Sequence, residues 1–373
     1  MPKRLLITLE YFPQIGGIAS YVHNFAKHLN KEETVLYAPA SSGSAKFDEA
    51  SGLTVYRRSP FFLLWWPRWL KLLFQVWWII AKETITEIHV HQALPVGYIA
   101  LFFKKFKNIP YVLFLHGSDL EYGLRPAKRF KFKHICTEAN RLVVNSEFLR
   151  HKLESKIDNL PTIQVIYPGP SDVFFKPVEP VKIQTLKSRL GLSGKKILLT
   201  VSRLVDGKGL PQMLTCLAKL VALDSQVVWV LVGTGPKMSI LSAAVQKLNL
   251  QNSVRFIGDV ANSELPNFYH LADIFSLLTH PDLEAEEGWG TVFLEASASG
   301  LPIVAGRVGG VDESVINGLT GFVVEANNTT EVFNAFTELL SNLELRHQMG
   351  EAGKQRVYNE FRWEIQINKF LAT

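Results

Sequence analysis

The chain has 373 residues, two cysteines and a formal charge of +6, with 47% hydrophobic and 20% charged residues. Such a length fits two ordinary domains or one large one, and the apolar content excludes a disordered chain, a collagen-like chain and a disulfide scaffold. The charge is lopsided: residues 1–175 hold 22 Lys and Arg against 14 Asp and Glu, whereas residues 176–373 hold 18 against 20.

Taken in chain order, the first element is an apolar run at 4–9, too short for a secretory signal and followed by the turn Pro13-Gln14-Ile15-Gly16-Gly17. A helix pattern follows in Tyr21, Val22, Phe25, Ala26 and Leu29. Further strands are expected near 34–38, 53–57, 87–91, 111–116, 141–145 and 162–166. Between them lies the apolar stretch 61–80, broken by Pro67, Arg68, Lys71 and Gln75 and so unsuited to span a membrane. Arg68, Lys71, Gln75 and Lys82 recur at helical spacing, opposite Trp69, Leu72, Leu73, Val76 and Ile80, which predicts an amphipathic helix with the polar row on one face. Turn chemistry at Tyr167-Pro168-Gly169-Pro170 marks a break. The alternation then restarts, with strands expected at 196–202, 226–232, 253–258, 273–278, 302–305 and 321–324, and a final helix at about 354–372 anchored by Phe361 and Trp363. Continuous apolar strands separated by helices predict two α/β units, each a doubly wound parallel sheet. Domains are therefore expected at 1–170 and 171–353, with 354–373 a C-terminal helix packing back on the first. Cys136 and Cys216 fall in helical text, which suits a reducing compartment, and a cytoplasmic location is expected.

In open parallel sheets ligands bind beyond the carboxyl ends of the strands, so the loops there carry the candidate chemistry. The segment Glu287-Gly288-Trp289-Gly290-Thr291 leads into a helix holding Glu295. Glycines let backbone amides approach a ligand, and a helix start favours phosphate or an electron-rich oxygen. Glu295, one turn inside, must be paired or bonded, and ribose hydroxyls would satisfy it. The alternative is a solvated acidic loop of Asp282, Glu284, Glu286 and Glu287. A second constellation, Ser202-Arg203-Leu204-Val205-Asp206-Gly207-Lys208-Gly209, sets two cations beside glycines after the first strand of the second half. It suits a diphosphate leaving group, or else is an exposed basic turn.

These patterns resemble the GT-B glycosyltransferases of family 4. Glu287 and Glu295 have the E-x7-E spacing, followed by L-E-A, G-L-P-I-V-A and a Gly-Gly with a further acid at Gly309-Gly310-Val311-Asp312-Glu313. The likeness runs from Tyr11-Phe12-Pro13 to Trp363, and a narrower similarity to phosphatidylinositol mannoside mannosyltransferases lies in 282–287 and Ala305-Gly306. The resemblance implies two Rossmann-like domains facing a cleft and a retaining, metal-independent hexosyltransferase using a nucleotide diphosphate sugar, with no cofactor. It implies candidate catalytic residues His116, Arg203, Lys208 and Glu287. Candidate donor-binding residues are Gly16, Gly17, Gly233, Gly258, Gly288, Trp289, Gly290, Thr291 and Glu295. On sequence alone Gly16-Gly17 is an ordinary turn, and His116 stands out from ten histidines only by its place at a strand end beside Gly117. His89 and His91 alternate on a strand, so only one is expected to face the cleft, and no metal-ligand spacing is present. Rivals on the same scaffold are a sugar phosphorylase or a nucleotide-sugar epimerase. From another class comes a catalytically silent membrane- or polysaccharide-binding module. Ser299 and Trp289 depart from the family's usual Cys and Phe.

The basic first half also holds five of the eight tryptophans, Trp65, Trp66, Trp69, Trp77 and Trp78. Its clusters Arg57-Arg58, Lys104-Lys105-Phe106-Lys107 and Arg125–Lys133 come with no nucleic-acid motif. The expected partners are a nucleotide-sugar donor and a glycan or glycolipid acceptor of cell-envelope biosynthesis. Peripheral contact with the inner face of an anionic membrane through the N-terminal domain is a further expectation, and nucleic acid is not expected.

Overall fold

Runs rich in Val, Ile, Leu and Phe that lack alternation need both faces covered, and a parallel sheet between helix layers provides that. The structure, a computed structural model, describes residues 2–14, 16–62, 67–281 and 289–372. The chain forms two compact units, residues 1–168 with 363–373, and residues 169–362.

Unit 1 holds seven strands: β1 (Arg4–Ile7), β2 (Thr34–Ala38), β3 (Thr54–Arg57), β4 (Glu87–Val90), β5 (Tyr111–Leu115), β6 (Arg141–Val144) and β7 (Ile163–Val165). All pair in parallel, in the order β3-β2-β1-β4-β5-β6-β7. The direction of strand order reverses at β1, and the loops after β1 and β4 therefore part there. One sheet face packs Leu5, Ile7, Leu113 and Val144 against helices Leu70–Glu83, Val96–Lys107 and Arg129–Thr137. The other packs Leu6, Leu36, Phe114 and Val143 against helix Gly17–Lys27 and the last helix, Trp363–Leu371.

Unit 2 continues with β8 (Lys196–Val201), β9 (Val227–Val232), β10 (Val254–Gly258), β11 (Ile274–Leu277), β12 (Ile303–Gly306) and β13 (Gly321–Val324). They form a parallel six-stranded sheet, β10-β9-β8-β11-β12-β13. Each strand expected from an apolar run is present, within about one or two residues at either end.

The C-terminal segment differs from the single expected helix at 354–372. One helix ends at Arg356, a turn of wider, π-type winding covers Val357–Phe361, and Arg362 is extended before a new helix starts at Trp363. The cause is that the two aromatic anchors belong to different cores. Phe361 packs on Trp289 in unit 2, whereas Trp363 lies edge-on to Tyr21 in unit 1. Once in unit 1 the last helix is tied by backbone and side chains. Gln366 Oε1 accepts from Tyr167 N (2.9 Å), and Arg141 and Gln164 donate to the Phe370 and Lys369 carbonyls.

The helix Leu70–Glu83 also corrects the expected division of faces. Leu72, Val76 and Ile79 are fully buried, but Gln75 turns inward, accepting from Tyr37 Oη (2.7 Å) and donating to the Ser59 carbonyl. The outward face is aromatic: Phe74 is 62% exposed, Trp77 53% and Trp78 40%. The expected apolar face, with Leu72 and Val76 buried and Trp69, Leu73 and Ile80 packed against the same core, does lie inward, and a second, aromatic row faces water. Trp65 and Trp66 lie outside the described residues. On neighbouring helices Phe106 is 63% exposed and Phe130 85%, beside exposed Lys105, Lys107, Arg129 and Lys131. Arg58 and Lys82 lie over the Trp78 ring, and Lys128 over Tyr122. Among the described residues no helix is long and apolar enough to cross a membrane.

Candidate active site

In unit 2 the loops after β8, β9, β10 and β11 are stitched into one surface. Leu204 N donates to Thr234 O (2.9 Å), Gly233 N to Gly258 O (2.7 Å) and His280 N to Gly207 O (3.1 Å). This close approach explains two glycines. Gly209 has φ +66°, and a Cβ there would lie 1.9 Å from the Leu278 carbonyl oxygen. Gly233 has φ +124°, with a Cβ position 2.0 Å from the Ser202 oxygen. Any larger residue would force these loops apart. Gly258 has φ +84° but open space around it.

Arg203 and Lys208 sit on this stitched loop. Arg203 is exposed and makes no ion pair among the described residues, and Lys208 is half-buried. Asp206, between them in sequence, is spent on Lys237 at 2.7 Å. Ser202 Oγ is buried with no hydrogen-bond partner among the described residues. The loop therefore places a guanidinium, an ammonium and a buried hydroxyl together, groups that suit an anion. A cavity of about 350 Å³ opens beside Gly207 and Gly209, but its lining includes neither cation nor Glu295.

The helix Thr291–Ala298 starts after Gly290, whose φ of +77° turns the chain into it, and whose lack of a side chain leaves the first turn without a cap from that position. One turn in, Glu295 Oε2 accepts from the Tyr269 hydroxyl at 2.7 Å. Burial raises the Glu295 carboxyl from 4.5 to about 7, while the tyrosine hydrogen bond opposes the shift. Trp289 is 2% exposed with its ring against Phe361. Its indole thus belongs to the core, which narrows its expected part in donor binding to its backbone. Glu287 and Gly288 lie outside the described residues.

In unit 1 the corresponding loops follow β1, β4 and β5. Gly16 is extended (φ 172°) and leads into the helix Gly17–Lys27. A Cβ on Gly17 would meet no described residue within 4 Å, so the described packing does not demand glycine there. After β5, Gly117 takes φ +98° and His116 N donates to Asp119 Oδ2 (3.1 Å). Asp119 Oδ1 accepts from Ala93 N, joining the loops after β4 and β5, and burial raises its carboxyl to about 6. The His116 ring lies edge-on to Tyr21 (4.9 Å) and stacks with His91 (5.7 Å). Its Nε2 is buried with no partner among the described residues, and burial lowers its pKa to about 3, so it is neutral at physiological pH.

The strand does not set His89 and His91 on different sides. Residues two apart on a strand share a face, and both are fully buried, against Phe25 and Phe114. His89 Nε2 meets Glu87 Oε2 at 2.8 Å. Among the described residues no three His, Cys, Asp or Glu side chains gather to hold a metal ion. Tyr269 was missed from sequence, since 26 residues separate it from Glu295 and only the packing of helix Leu265–Leu271 on Thr291–Ala298 joins them.

Two family models match successive parts of the chain. Residues 15–171 match glycosyltransferase family 4, and residues 182–356 match glycosyl transferases group 1. The chain belongs to the GT-B glycosyltransferases of family 4. It is an enzyme that transfers a sugar from a nucleotide sugar. This glycosyltransferase is 29% identical, over 98% of its length and 96% of the other's, to the GDP-mannose-dependent alpha-(1-6)-phosphatidylinositol monomannoside mannosyltransferase of Mycobacterium tuberculosis. It is 28% identical, over 78% and 75%, to the N-acetyl-alpha-D-glucosaminyl L-malate synthase of Bacillus anthracis. In fold it is similar to Anabaena HepE in complex with UDP, with a TM-score of 0.84 and 20% identity over 99% of this chain and 98% of that one.

Proposed function

We propose that this enzyme is a retaining hexosyltransferase whose acceptor is a hydroxyl on a lipid-linked glycan of the cell envelope. The observation that carries the donor half is the stitched loop of unit 2, which holds Arg203, Lys208 and the unpartnered Ser202 hydroxyl at the carboxyl end of β8. In this reading the C1–O bond to the diphosphate breaks, and its electron pair leaves with the nucleotide diphosphate. Arg203 and Lys208 stabilise that charge, supplying what a divalent ion would otherwise supply. Glu295 accepts from the ribose, Gly233 and Gly258 line the nucleotide, and Glu287 with the amides of Gly288, Gly290 and Thr291 meets the sugar and phosphate. Gly16 and Gly17 admit the diphosphate close to the backbone, which accords with a Gly17 whose Cβ position meets no described residue. His116, neutral, offers Nε2 to a sugar hydroxyl.

The residues proposed for the donor site include no nucleophile for the sugar, and this reading uses none. The acceptor hydroxyl therefore attacks on the face the leaving group departs from, and its proton passes to the departing phosphate oxygen. The outward aromatics Phe74, Trp77, Trp78, Phe106 and Phe130, interleaved with cations, support peripheral contact of unit 1 with an anionic membrane. That contact is the reason for favouring a lipid-borne acceptor. The test is incubation with GDP-mannose, UDP-glucose or ADP-glucose and vesicles carrying a phosphoinositide or glycolipid acceptor. Sugar transfer to lipid supports the reading. Turnover that depends on inorganic phosphate instead would make the enzyme a phosphorylase.

A further inference from the structure

Tyr269 is fully buried, and its ring is fixed from two sides, stacked on Phe275 (5.5 Å, 25° between planes) and edge-on to Phe174 (5.3 Å). A ring so held has its hydroxyl in one place. That hydroxyl donates to Glu295 Oε2, and among the described residues Glu295 Oε1 takes no hydrogen bond. A glutamate has three rotatable bonds and would lose their freedom on meeting a ligand. Here one carboxyl oxygen is already tethered to a rigid donor, and the other is left to accept.

We infer that Tyr269 is a positioning residue for the donor: it holds the Glu295 carboxylate so that Oε1 faces the paired hydroxyls of the nucleotide's ribose, and so sets selectivity for ribose over 2′-deoxyribose. The inference rests on the proposal that Glu295 meets the ribose. A hydroxyl that merely satisfied a buried carboxyl would be indifferent to the ligand. A positioning hydroxyl is coupled to it.

The coupling is measured by calorimetric titration of UDP, GDP and ADP, each beside its 2′-deoxy counterpart, at pH 8. The unaltered enzyme binds the ribonucleotide of its preferred base about 10- to 100-fold more tightly than the deoxy form, the range of one charge-assisted hydrogen bond. Tyr269→Phe keeps the ring's volume and removes only the donor. It lowers that ratio to a few-fold, leaves affinity for the deoxy form near its original value, and raises the KM for the sugar donor while kcat stays within about twofold. Equal losses for both sugars in Tyr269→Phe, or no loss for either, overturn the inference. Absence of discrimination in the unaltered enzyme overturns it without any variant. Glu295→Ala separates the two ideas. Unchanged ribonucleotide affinity in that variant defeats the ribose proposal itself, whereas weakened affinity there with an unaffected Tyr269→Phe defeats only the positioning role.

Discussion

Glu295→Gln is predicted to make the ligand-free enzyme more stable while making it a poorer binder. Burial disfavours the charged form, and the carboxyl rises from 4.5 to about 7 on folding. The folded state therefore holds its proton more tightly than the unfolded chain. The stability this confers is complete below about pH 4.5 and is lost as pH rises through about 7. Raising the carboxyl from 4.5 to about 7 corresponds to about 3 kcal/mol at full burial, and allowing for the side chain's partial contact with water leaves about 2 kcal/mol. Glutamine is neutral throughout, keeps an oxygen for the Tyr269 hydroxyl, and avoids the loss. For a unit of about 200 residues, each kcal/mol moves the midpoint by about 2–4 °C. Thermal unfolding at pH 8 should thus show the variant about 4–8 °C above the unaltered enzyme, with the gap closing by pH 5. In the same samples its affinity for a nucleotide sugar should fall about 10- to 100-fold. A variant no more stable at pH 8, or a gap that ignores pH, would refute the assignment of a costly buried carboxylate.

Other expectations follow from named contacts. Lys208→Ala and Arg203→Ala should each lower kcat about 100- to 1,000-fold in steady-state assays, as loss of a charge on the leaving group does, with a smaller change in thermal midpoint. Gly233→Ala should lose several °C of thermal stability as well as donor binding, because its Cβ would collide with the Ser202 oxygen at a positive φ; a wild-type melting curve would contradict the close approach. Replacing Lys104, Lys105 and Lys107 by Gln should weaken sedimentation with phosphatidylserine vesicles on the order of 100-fold, at about 1 kcal/mol per cation, while leaving neutral vesicles unaffected.

What the sequence made legible was set by local pattern. Both sheets were readable because buried parallel strands are continuous apolar runs, and β2 and β13 fall where those runs do. The loops bearing Arg203, Lys208 and His116 were readable because glycines and charged residues follow strands directly, and the helix holding Glu295 because a glycine turn precedes it. Features decided by distant packing were not. On helix Leu70–Glu83 the inner face with Leu72 and Val76 was legible, but the inward turn of Gln75 and the outward aromatic row of Phe74, Trp77 and Trp78 were not, because Tyr37 and Ser59, distant in sequence, hold Gln75. The break at Arg362 reflects the burial of Phe361 and Trp363 in two cores. Trp289 beside Gly290 looked like a ligand contact, and its burial depends on Phe361, 72 positions later. Tyr269 carries no local signal at all.

The stereochemistry of transfer tests the central claim most directly. When an α-linked nucleotide sugar is the donor, the anomeric proton of the purified product is read by NMR. Same-face attack with the diphosphate as proton acceptor predicts an α-linked product, lost in Lys208→Ala. A β-linked product would contradict the account, because it would require a base on the opposite face that the proposed arrangement does not use.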